Sequence, residues 1–116
     1  MLKTKAKEFQ TSFLRKMQQF PIIFILSSIQ EIEKINQEIL AFRTIIQQYI
    51  TTIQHVLKIH SSETELRLLE KDLNILQEQK RILEDILKIL NKKPKYLIND
   101  IPTLTKLWHL FQKNLL

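Results

Sequence analysis

Isoleucine recurs every seventh residue at Ile25, Ile32, Ile39, Ile46 and Ile53, and leucine does the same at Leu69, Leu76, Leu83 and Leu90. A seven-residue spacing returns a side chain to nearly the same side of an α-helix, so each series marks one continuous apolar stripe. With the isoleucines as heptad position a, position d holds Ser28, Ile35, Phe42, Tyr49 and Val56. With the leucines as position d of a second helix, position a holds Leu66, Leu73, Lys80 and Leu87. The pattern predicts a long helix over 21–60 and a heptad-repeat helix over 62–93, separated by the polar break at His60, Ser61 and Ser62. So short a connection folds the two back on each other as an antiparallel coiled-coil hairpin.

The ends carry a shorter periodicity. Leu2, Ala6, Phe9, Phe13, Met17 and Phe20 recur at spacings of three and four, which predicts a basic amphipathic helix over 1–20. Pro21 closes it, because proline disfavours helical geometry in the residue before it while suiting the first turn of a following helix. Ser62 and Glu65 form a capping box for the heptad-repeat helix, and Lys92, Lys93 and Pro94 mark its end. Residues 94–116 divide into a linker and a short helix, capped at Asp100 or Thr103, that buries Leu104, Leu107, Trp108, Phe111 and Leu115. The expected fold is a single all-α domain: a coiled-coil helical hairpin with amphipathic N- and C-terminal helices, three or four helices together. At ~1.5 Å per residue the first hairpin helix outruns its partner by about 15 Å. The terminal helices are the material available to cover its exposed start.

Composition narrows the function classes. The 116 residues include no glycine, so tight hairpins, phosphate-cradling loops and dinucleotide fingerprints lose their usual residue. They include no cysteine, which removes disulfides and thiolate chemistry and points to an intracellular setting. No run approaches the ~18 apolar residues of a membrane span. His55 and His60 are five apart, not the four a helical zinc pair needs, and His109 stands alone. No serine occupies a nucleophile elbow and no acidic pair stands out from the solvated helix faces. The expectation is a non-catalytic protein with no cofactor, no metal and no small-molecule substrate.

Two features have functional reach. The stripe on the long helix is wider than a two-stranded seam uses, and Phe24, Ile29, Ile45, Ile50, Leu57 and Ile59 are its surplus. They form the expected contact set for other protein subunits, which makes a structural or accessory subunit of a larger assembly the leading reading. Residues Leu69 to Leu90 resemble a leucine zipper, but in zipper transcription factors a basic helix precedes the leucines. Here His60, Ser61, Ser62, Glu63 and Glu65 stand there, so the resemblance carries pairing and no DNA reading. Glu65 would also meet Glu70 of a parallel twin, which disfavours self-pairing. Lys80 interrupts the leucine seam and is expected to reach out past its neighbours.

The second feature is charge. The net +6 is concentrated at the termini, with Lys3, Lys5, Lys7, Arg15 and Lys16 against Glu8 in residues 1–20 and four lysines against Asp100 in residues 93–116. If both ends emerge opposite the hairpin turn, Lys3, Lys5, Lys7, Arg15, Lys16, Lys92, Lys93 and Lys95 make a positive pole. Such a pole suits RNA or another nucleic acid, the alternative reading, or an anionic membrane surface, a further one. The first 20 residues are also similar to a mitochondrial presequence, which implies a mitochondrial protein that keeps this helix uncleaved.

Overall fold

A computed structural model of the chain describes residues 2–22, 28–59, 63–91 and 97–116. Its helices are α1 (Leu2–Lys16), α2 (Ile29–Ile59), α3 (Glu63–Leu90) and α4 (Leu97–Lys113), with no strand among the described residues. Side-chain pairings fix their directions. Arg43 meets Glu84 while Tyr49 meets Asp72, so α2 and α3 are antiparallel, as the heptads predict. Lys16 meets Glu38 and Phe9 meets Phe42, which sets α1 antiparallel to α2. Phe20 packs on Trp108 and Gln10 bonds to Leu116, which sets α4 antiparallel to α1. The result is an up-down-up-down four-helix bundle with principal extents of 52 × 22 × 21 Å.

Three boundaries differ from the sequence expectation. α2 begins at Ile29 and not at Pro21. The reason is a capping box: the Glu31 backbone N–H donates to Ser28 Oγ at 3.2 Å, and Ser28 Oγ lies 3.2 Å from Glu31 Oε1. α1 stops at Lys16, after which a backbone bond from Phe20 N to Met17 O turns the chain toward buried Pro21. α4 begins at Leu97, so the expected linker residues 97–102 are helical and Pro102 lies within the helix. Proline there forfeits one bond to the carbonyl four residues back. Burial of Leu104, Trp108 and Phe111 offsets that loss. Ser62 of the expected cap, and the ending signal at Lys92, Lys93 and Pro94, lie outside the described residues.

The core follows the seams. Ile32, Ile39, Ile46 and Ile53 on α2, with Leu76, Leu83, Leu87 and Leu90 on α3, are all buried. α3 also carries a second seam, at Asp72, Ile75, Gln79, Ile82, Ile86 and Ile89, which repeats every three and four residues. All of these but half-buried Ile75 are buried, because this side of α3 faces α1 and α4. At the centre, the rings of Phe9, Phe13, Phe20, Phe42, Trp108 and Phe111 join α1, α2 and α4; Phe13 stacks on Phe42 at 4.7 Å and Trp108 on Phe111 at 5.4 Å. Offset and edge-to-face ring pairs of this kind add about 0.5–1.5 kcal/mol each beyond area burial.

The terminal helices are short, ~22 Å and ~25 Å against ~46 Å for α2. The chain end after α4 reaches the level of Gln79, and α1 reaches that of Asp72. The bundle therefore tapers from four helices to three to two. Beyond Asp72, residues 51–59 of α2 and 63–71 of α3 project as a bare two-helix arm.

Candidate interaction surfaces

The arm is held together mainly by Ile53, which is buried, and by half-buried Val56, Leu57, Leu66 and Leu69. With no third helix among the described residues to lie on them, its outer apolar residues face solvent: Ile59 is 70% exposed and Leu68 61%. Below the arm a polar network closes the base. Gln79, wholly buried, donates from Nε2 to Gln10 Oε1 at 2.9 Å and to the Asn114 carbonyl at 2.6 Å. The Leu116 backbone N–H donates to the same Gln10 oxygen at 2.9 Å, which ties the last residues of the chain to α1. Gln79 Oε1 accepts no hydrogen bond from the described residues.

One step toward the arm, buried Asp72 accepts from the Tyr49 hydroxyl at 3.2 Å and pairs with Lys3 Nζ at 2.9 Å. Lys3 sits where α4 has already ended and neutralises a carboxylate that would otherwise be buried alone. Burial, then the adjacent Asp72 charge and their hydrogen bond, push the Tyr49 hydroxyl up to about 12. Lys80 lies half-exposed with Nζ 4.0 Å from Glu84, whose Oε1 accepts from Arg43 Nη2 at 2.7 Å. The seam lysine thus reaches out to the edge of the hairpin.

The surplus apolar residues of α2 have divided fates. Ile50 is buried in the core, and Ile45 and Leu57 pack half-buried against it. Ile50 is therefore removed from the contact set, because the bundle's own packing covers it. Ile29 and Ile59 are exposed, and Phe24 lies outside the described residues. Leu68, on α3, is exposed as well; it falls on neither position of the leucine heptad but continues the second seam one step beyond Asp72.

Among the described residues, the basic side chains do not gather at one pole. α1 runs along the bundle from the level of Asp72 to that of Glu38, and it carries its cations along that length. Lys3 and Lys16 are bound to those two carboxylates, at 2.9 and 3.1 Å. Lys5, Lys7 and Arg15 are exposed and have no ion pair among the described residues, whereas Lys92, Lys93 and Lys95 lie outside them. Lys106, His109 and Lys113 add a second exposed basic row on α4 that composition alone left unplaced.

No group of three or more His, Asp or Glu side chains among the described residues is arranged to hold a metal ion, and no described helix is long and apolar enough to cross a membrane. No protein-family model, curated protein or solved structure matches the chain.

Proposed function

We propose that this chain is a non-catalytic structural or accessory subunit of a larger assembly, and that it holds a protein partner with the outer surface of the arm. The observation that carries this reading is the pairing of a closed base with an uncovered apolar arm. α1 covers the hairpin up to Asp72 and the residues after α4 cover it up to Gln79, whereas Ile59 and Leu68 beyond them stand in solvent. A helical surface with exposed aliphatic anchors suits a helical partner that completes the bundle there. An intracellular setting accompanies this reading. A mitochondrial location with α1 retained is compatible with it, since Ala6, Phe13 and Met17 are core residues and loss of α1 would strip the base.

The test is affinity purification of the full chain from its source beside the double variant Ile59→Glu with Leu68→Glu, whose exposed positions leave the helical signal in circular dichroism unchanged. A partner retained by the parent chain and lost from the variant supports the proposal. Recovery of the same partners by both, or a parent chain that remains a partnerless monomer in light scattering across concentration, overturns it.

A further inference from the structure

Charge is divided unevenly among the four helices. α2 balances Lys34, Arg43 and Lys58 against Glu31, Glu33 and Glu38, and α3 holds more acidic than basic residues. α1 sets five basic side chains against Glu8, and its neighbour α4 sets Lys106 and Lys113 against Asp100. One side of the bundle is therefore cationic and the other is not. Within that side, Lys3 and Lys16 are occupied by Asp72 and Glu38, which leaves Lys5, Lys7, Arg15, Lys106 and Lys113 exposed and without an ion pair among the described residues. On α4, Lys106, His109 and Lys113 follow one another at spacings of three and four and so share a face. On α1, the hydroxyls of Thr4 and Ser12 stand with Lys7 and Arg15 on the exposed surface, where Glu8 is the one carboxylate of the group and the Thr11 hydroxyl donates to the Lys7 carbonyl at 3.0 Å.

We propose that this α1–α4 side binds the phosphate backbone of double-helical nucleic acid without reading its sequence. Lysine, arginine and hydroxyl side chains on rigid helices are the groups that contact phosphate, and each cation that does so releases counterions. Single strands are gripped through exposed aromatic side chains on which bases stack. Here Phe9, Phe13, Phe20, Trp108 and Phe111 are spent on one another and on Phe42. A membrane-surface helix buries its apolar stripe in lipid. The stripes of α1 and α4 face the core, and Leu110, 40% exposed, is the one large apolar side chain of these two helices that stands exposed among the described residues.

The experiment is fluorescence anisotropy of the full chain with short duplex RNA and duplex DNA of two unrelated sequences, titrated against salt. Five phosphate contacts predict a log–log slope of about −4.5, a loss of roughly 500-fold between about 50 and 200 mM salt, equal for both sequences. Lys7→Gln with Arg15→Gln, and separately Lys106→Gln with Lys113→Gln, should each make the slope shallower by about two. Lys58→Gln with Lys88→Gln, on α2 and α3, should leave it unchanged. All six positions are exposed, so each variant keeps the fold, which circular dichroism verifies. Equal losses from the α2 and α3 variant would reduce the effect to diffuse net charge and overturn the proposal. So would absence of duplex binding at low salt, preference for single strands, or flotation with anionic vesicles by a chain that ignores duplexes.

Discussion

The base and the arm use the same two helices and the same heptad spacing, yet they bury it to different depths. In the base, Ile39, Ile46, Leu76 and Leu83 are at most 1% exposed, since α1 and α4 close over the hairpin. In the arm Ile53 is still buried, at 2%, but Val56, Leu66 and Leu69 remain half in water. Pattern therefore selects which face turns inward, and the number of neighbouring helices decides how completely it is buried. Segments with few apolar contacts open at lower free energy than the global transition. The arm is accordingly the part of the molecule most open to adjustment on meeting a partner.

Phe13→Ala offers the severest challenge to this contrast. Its ring meets Phe42, Trp108 and Phe111 from three sides, so the variant should lose about 3–5 kcal/mol in urea denaturation. A loss under about 1 kcal/mol would mean that the base is no tighter than the arm. Gln79→Leu comes next, at about 1–3 kcal/mol, because it leaves the Asn114 carbonyl and the Gln10 oxygen short of a donor. Adding Gln10→Leu should recover part of that loss, which a double-mutant cycle measures.

Leu69→Ala in the arm should cost only about 1 kcal/mol, half the transfer term of a fully buried leucine. Hydrogen exchange should find the amides of 51–59 and 63–71 exchanging before those of the base. The smallest effect is at the boundary between the two regions. The neutral Tyr49 hydroxyl is favoured in the folded protein, so its contribution is complete below pH 10 and is lost as pH rises from 10 toward about 12. Denaturation midpoints should fall across that window. Tyr49→Phe should flatten the fall while costing roughly 1 kcal/mol at neutral pH.

Much of this architecture was legible in the residues. The isoleucine and leucine series located the hairpin, and Phe13, Trp108 and Phe111 were recognisable as the inward faces of terminal helices. The second seam on α3 was present at the same spacing in Ile75, Ile82, Ile86 and Ile89, but Asp72 and Gln79 disguised it as a solvated flank. Their partners, Lys3, Tyr49, Gln10 and the chain's last residues, are distant in sequence and come together only in the fold. The start of α2 was obscured for a related reason. Ser28 counts as a failed apolar position in the heptad frame, although Ser28 with Glu31 is itself a capping signal. The expected positive pole rested on net charge by segment, which carries no information about which carboxylate each lysine meets.

The bond between Gln10 and Leu116 spans 106 positions, nearly the full length of the chain. α2 and α3 can pair as soon as both have left the ribosome, but α1 is made first and cannot find α4 until α4 too has emerged. Until then the hairpin's inner side stays open, and Phe13 has Phe42 beside it but neither Trp108 nor Phe111, so the nascent protein exposes apolar surface to any chaperone it meets before α1 and α4 close.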